Sequence, residues 1–314
     1  MSVNVIRKWT KTLLTAFLVT EILSAPIPIM PVSAQTWNPS LGWDFECHSH
    51  THPHLTALQE SHIRWEMDHV NTAFEAHNLS IPKHHAYPYG YMDDKVKAIA
   101  AEYRKSCRCA WPVTGTLNTY PISNWYELNA VEIRASTSWN TIQEWVDNTT
   151  TNKALLCIFT HRVMDPAPQY GCTPTMLGQL LDYLLQKRDA GLLQVMTMAE
   201  AYDYWTNATE GKTTVVVSFD DGYKTDYTTV WPMFRARGLK GTSYIFTQTI
   251  GGGIDRLTWE QIEEMASEPS QSNIPSIVPY VALGAFILAI ALILILHKKL
   301  LGKTRPLKET YRKN

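Results

Sequence analysis

Thr213-Thr214-Val215-Val216-Val217-Ser218-Phe219-Asp220-Asp221-Gly222 is the stretch whose reading decides the fold. Its unbroken apolar run, rich in β-branched residues, predicts a strand buried on both faces, as in a parallel sheet covered by helices. Two carboxylates and a glycine follow at the point where the strand emerges. Consecutive side chains diverge there, so one Asp can bind a cation while its neighbour faces a water. Asp-Gly is also a common turn pair, so this stretch alone leaves the function open.

Working outward, short apolar runs alternate with helical patterns. Leu155–Phe159 predicts a second buried strand, followed by a helix carrying Leu177, Leu180, Leu181, Leu184 and Leu185 that ends near Gly191. Leu192–Met196 and Gly241–Phe246 read as strands. Ala199–Trp205, Val230–Arg237 and a segment opened by Thr258-Trp259-Glu260-Gln261 read as helices. Strands alternating with helices predict a parallel α/β sheet or barrel. No internal repeat is evident. The polar connector Thr206–Lys212 joins a helix to the Val-rich strand.

The chain has 314 residues and a formal net charge of −1, which gives no electrostatic footprint for nucleic acid. Arg7, Lys8 and Lys11, the apolar run Leu13–Val19 and Val32-Ser33-Ala34 predict a signal peptide over 1–34. The uncharged run 274–296 would span roughly 34 Å as a helix, against ~30 Å of hydrocarbon, and predicts a transmembrane anchor. Seven Lys and Arg residues in the tail 297–314 predict that this tail is cytoplasmic and residues 35–272, with the domain over 35–266, outside at the cell membrane. The linker 267–273 reaches only about 25 Å, so the domain should sit close to the bilayer. Sequons at Asn78, Asn148 and Asn207 are compatible with an external domain. Five cysteines without paired spacing do not describe a disulfide framework. Eleven tryptophans supply core packing, and some could stack on sugar faces.

Three further groups could carry chemistry. In His48-Ser49-His50-Thr51-His52-Pro53-His54, the four-residue spacing lets two imidazoles reach one ion, although spacing does not say which. His161 stands where the second buried strand emerges, suited to acid–base work or to a structural role. Ala86-Tyr87-Pro88-Tyr89-Gly90 is a rigid aromatic turn that could aim a backbone N–H into a cleft.

Together these groups resemble the motifs of the polysaccharide deacetylase family, carbohydrate esterase family four. Ser218–Gly222 is similar to its Thr-Phe-Asp-Asp-Gly, His48–Pro53 to its His-Ser/Thr-x-x-His-Pro, Pro88–Gly90 to its Pro-Tyr-Gly, and His161 to its late histidine. The flanks Gly238–Thr242, Leu257–Ile262 and Thr197–Ala201 also resemble it, so the likeness covers nearly all of 40–266. The resemblance implies a distorted seven-stranded (β/α) barrel, here circularly permuted, because the Asp-Asp motif follows the histidine pair instead of preceding it. The break then falls between the helix near Leu257–Met265 and the strand entered at Trp43, and Thr206–Lys212 joins the old ends. Domain swapping, in which 213–266 complete a neighbour's barrel, is the alternative.

The resemblance further implies metal-dependent removal of N-acetyl groups from a cell-surface polysaccharide. Asp221, His48 and His52 would hold a divalent metal, zinc by preference. Asp220 would be the base, Tyr89 would supply an oxyanion N–H, and His161 would be the acid. His50 and His54 would be bystanders. The partners implied are an N-acetylated polysaccharide and the membrane, with no nucleic acid and no protein partner. An inactive glycan-binding protein, or an esterase or amidase with other substrates, are the rival readings. Ala86 stands where the family usually has an Arg that steadies the base, and Arg134 is the candidate substitute. Trp139 and Trp111 are candidates for the family's Trp-containing motif, with core packing the alternative role for each.

Overall fold

A computed structural model describes residues 42–267, apart from 113, 114 and 116. The predicted signal peptide 1–34, anchor 274–296 and tail 297–314 lie outside the described residues. Among the described residues, no helix is long and apolar enough to cross a membrane.

Eight strands form one all-parallel sheet: β1 (Asp44–Cys47), β2 (His84–Ala86), β3 (Ser106–Arg108), β4 (Ala130–Glu132), β5 (Leu155–Thr160), β6 (Gln194–Met196), β7 (Thr214–Asp220) and β8 (Thr242–Ile245). The helices are α1 (Glu60–Ala76), α2 (Asp94–Tyr103), α3 (Trp139–Asn152), α4 (Pro174–Asp189), α5 (Met198–Thr206), α6 (Trp231–Arg235) and α7 (Trp259–Ser267). The sheet runs β3-β2-β1-β8-β7-β5-β4. Its ends approach each other where Arg108 bridges to Leu128, just ahead of β4, so the barrel nearly closes.

Eight strands replace the expected seven because β7 is long enough for two neighbours end to end. Its first half pairs with β6 (Gln194 with Thr214), and its last three residues pair with β8 (Ser218 with Thr242). The sheet explains the continuous Val run. Val215, Val217 and Phe219 belong to the large outer core cluster, where the Phe219 ring lies 6.0 Å from that of Trp43 and 5.7 Å from that of Phe234 in α6. Val216 packs inward with Leu155, Cys157 and Phe159 of β5 and Tyr244 of β8. The predicted helix over 230–237 narrows to α6, entered through a π-helical turn at Asp226–Val230; Pro232, which has no N–H to donate, sits in its first turn. The five cysteines are free and buried.

Followed around the barrel from β7, the strands rise in chain order through β8, then β1 to β5, and return to β7. The discontinuity lies between β8 and β1. There Trp43 donates its N–H to the carbonyl of Met265 in α7 at 2.9 Å. A Cβ on Gly42 would come within 2.5 Å of the carbonyl oxygens of Met265 and Ala266, so the two cut ends lie side by side and require glycine. One chain thus supplies every strand of the described sheet.

Candidate active site and metal centre

An all-parallel barrel delivers the C-terminal ends of its strands to one mouth, and the residues in question hang there. His48 follows β1, Tyr87–Gly90 follows β2, Arg108 ends β3, Glu132 ends β4, His161 follows β5, and Asp220 and Asp221 end β7. His48, Tyr87, Tyr89, Glu132, His161, Asp220 and Asp221 line a cleft of about 650 Å³.

His48 Nε2 and His52 Nε2 each lie 3.6 Å from Asp221 Oδ1 and 3.1 Å from one another. Among the described residues, these three form the one group of three or more His, Cys, Asp or Glu side chains whose donor atoms converge within 4.8 Å. His48 Nδ1 is 2.7 Å from the carbonyl of Ala86; a neutral ring donating there leaves its Nε2 lone pair facing the centre. Burial lowers the pKa of His48. His52 is lowered to about 3, by burial first and then by His48. Both rings are therefore neutral donors near pH 7. Asp221 Oδ1 is buried with no hydrogen-bond partner, which for a carboxylate oxygen calls for a cation. Two imidazole nitrogens and one carboxylate oxygen suit zinc with a position left open.

The backbone is forced to make this arrangement. Ser49, His52, Tyr89 and Asp221 have positive φ, four of the six such non-glycine residues among those described. Strain gathered at one place marks a site whose surroundings hold it there. Glu66, buried in α1, accepts hydrogen bonds from the N–H groups of His50 (2.7 Å) and Thr51 (2.8 Å) and from the Thr51 hydroxyl, while Ser49 Oγ accepts from the His52 N–H. His50 turns away to Thr247, 2.8 Å from its Oγ1, and His54 stacks on Tyr89 with ring centroids 4.1 Å apart.

Asp220 is buried against Arg108, with the guanidinium on its Oδ1. Burial alone would raise the carboxyl's pKa. Arg108, with help from His48 and His161, overrides burial and the net shift is downward. Arg108 is itself buried between the rings of Phe159 (4.4 Å) and Tyr244 (4.5 Å), which hold the guanidinium through their π faces. This corrects the expectation for Arg134, whose Nε instead lies 2.5 Å from Glu132 Oε2. The cation beside Asp220 enters from β3, next to the strand that carries Ala86.

Glu132 continues to His161: its Oε1 is 3.3 Å from His161 Nδ1. Burial pushes His161 down, but the neighbouring Glu132 and the charges of Asp220 and Asp221 outweigh it, leaving the pKa raised. Tyr89 sits in a 3-10 turn at φ 58°, with its ring 4.6 Å from that of His52. Trp111 lines the cleft, whereas Trp139 packs on Tyr183 away from it. Neither Arg108 nor Glu132 was among the residues singled out from sequence.

The polysaccharide deacetylase family matches residues 11–106 and 207–273, just over half of the chain. The chain belongs to the polysaccharide deacetylase family. The match falls in two pieces separated by residues 107–206, consistent with a permuted domain. Among solved structures, the chain is similar to IcaB from Ammonifex degensii at 32% identity over 35% of this chain and 47% of that one, TM-score 0.31. It is also similar to the Streptococcus pyogenes deacetylase PplD in complex with acetate (24%, over 35% and 50%, TM-score 0.28). A third is the de-N-acetylase from Aggregatibacter actinomycetemcomitans (21%, over 35% and 49%, TM-score 0.28). The matched regions span about half the length of each of these proteins. No curated protein matches.

Proposed function

We propose that this deacetylase-family chain hydrolyses N-acetyl groups on a cell-surface polysaccharide in a metal-dependent reaction. The observation that carries the reading is the pairing of a cation-shaped donor set, His48, His52 and Asp221, with a second, Arg-held carboxylate next to it. Zinc bound by those three would polarise the acetamide carbonyl and acidify a water at the same point. Asp220, kept ionised by Arg108, accepts the water's proton as it attacks the carbonyl carbon. The backbone N–H of Tyr89 donates to the oxygen on which negative charge develops. His161, held by Glu132, gives its proton to the sugar nitrogen as the carbon–nitrogen bond breaks, releasing acetate and a free amine. Neutral His48 and His52 with an elevated His161 give one site both metal-binding and proton-donating imidazoles.

The apolar run 274–296 and the basic tail support a tether that keeps the catalytic domain outside the membrane. Acetate release from N-acetylated oligosaccharides, measured with and without added zinc, tests the reading. Folded Asp220→Asn protein should bind sugar but turn over at least about 100-fold slower. Wild-type protein that folds, binds zinc and releases no acetate from any such substrate contradicts it.

A further inference from the structure

Asp221 has to present Oδ1 to the cation site while the chain turns out of β7 into Gly222. Its φ is 77° and that of Gly222 is 64°, so two consecutive residues are left-handed. A residue with a side chain keeps that conformation only where its surroundings hold it. Both backbone groups of Asp221 are held. Its N–H donates to the carbonyl of Tyr244 in β8 at 2.9 Å. Its carbonyl accepts from Nη1 of Arg256 at 2.7 Å, a charge-assisted bond. Arg256 reaches it from the loop between β8 and α7, and no step of the proposed reaction uses this arginine.

The reach of Arg256 is built. Its guanidinium lies over the rings of Tyr223 (4.1 Å) and Phe246 (4.8 Å), the kind of support that Phe159 and Tyr244 give Arg108. The loop passes through three successive glycines, Gly251, Gly252 and Gly253, yet its far end is fastened. Tyr223 and Arg256 form an antiparallel bridge, Lys224 donates its N–H to the carbonyl of Asp255 at 3.1 Å, and Leu257 donates to that of Gly222 at 3.0 Å. Asp255 also pairs with Arg162, the residue after His161, and Arg162 lies over the same Tyr223 ring at 4.3 Å. Given the metal centre proposed above, we infer that Arg256 is a positioning residue for the metal: it pins the backbone of Asp221 in the left-handed conformation that aims Oδ1 at the cation. Each carboxylate of the pair then has its own aromatic-held arginine, Arg108 on the side chain of Asp220 and Arg256 on the backbone of Asp221. Without Arg256 the Asp221 backbone can relax, and zinc binding must then restore the ligand's geometry at a loss of affinity. Outer contacts that orient a metal ligand typically govern roughly 10–100-fold in affinity.

The test is a competitive zinc titration of the full chain in detergent, wild type against Arg256→Met, with folding checked by near-UV circular dichroism and the stability of the zinc-free proteins measured alongside. Arg256→Met should bind zinc about 10-fold more weakly or worse. A role in packing alone would lower the stability of the zinc-free protein and leave zinc affinity where it was, and that result, or wild-type affinity with no other change, overturns the inference. Should Arg256→Met fail to fold, Arg256→Gln decides. Its amide keeps a polar head at this half-buried position but is too short to reach the Asp221 carbonyl, so weakened zinc binding supports the positioning role and wild-type affinity refutes it. Wild-type protein that folds and binds no zinc overturns the metal reading and this inference together, whereas tight zinc binding that ignores Arg256 overturns this inference alone.

Discussion

Replacing Arg108 with Met tests how the base is held. The guanidinium is 2% exposed, rests on Asp220 and lies between Phe159 and Tyr244, so Met can fill much of the same volume without supplying charge. Removing one member of a buried ion pair typically costs about 3–5 kcal/mol, because the other charge is left uncompensated. Asp220 carries the second consequence. Burial already raises its pKa, and Arg108 is the largest influence opposing burial, so the variant's Asp220 should titrate higher. The base works only when ionised. The acid limb of the kcat/KM profile should therefore move to higher pH, while wild type keeps activity to lower pH. Chemical denaturation with pH–rate profiles reads both effects. The Arg108→Met, Asp220→Asn double variant should recover part of the lost stability, since an amide does not need the cation. An unmoved acid limb in a folded Arg108→Met protein, or an equal displacement in Arg134→Met, would refute the assignment of Arg108 over Arg134.

Glu132→Gln should move the alkaline limb to lower pH, because Glu132 is the leading group raising His161 against its burial, and a pH–rate profile of the folded variant checks this. Chelation should abolish acetate release and zinc should restore it, with His52→Gln weakening zinc by more than the 10–100-fold typical of a lost outer hydrogen bond, as read by competitive zinc titration. Asp44 is buried and raised to about 6, chiefly by desolvation, against 3.8 unfolded. The folded state then holds the proton more tightly, so this group's contribution is full below pH 4 and is lost as pH rises through about 6. Melting temperatures across that window should fall less in Asp44→Asn.

The Val-rich strand was legible because burial on two faces leaves no charged residue until its end, and Asp220 and Asp221 mark that end. The strand end at His161 was legible for the same reason, and the cluster His48–His52 from its own four-residue spacing, since the strand before it, Asp-Phe-Glu-Cys, carries two acids. The permuted order was legible too, since the likeness extended through Leu257–Ile262 and back into Trp43. Helix α1 was not assigned, although Ile63, Met67, Val70 and Phe74 recur on one face. Its sequence is crowded with His and Glu, and its buried Glu66 serves the ligand loop instead of the core. Arg108 and Glu132 were hidden by short strands: Ser-Cys-Arg and Ala-Val-Glu are three residues each, too brief for an alternating pattern to show which side chain faces inward. Register with their neighbours, a property of the closed sheet, is what points them at Asp220 and His161.

X-ray absorption at the zinc edge of the loaded protein tests the central claim most directly. The account predicts one tightly held zinc with only nitrogen and oxygen neighbours at about 2.0–2.2 Å, two of them imidazoles, and loss of that signal in His48→Gln, His52→Gln double-variant protein. Sulfur neighbours at about 2.3 Å, drawn from the buried cysteines, or a zinc environment unchanged without the two histidines, would contradict it.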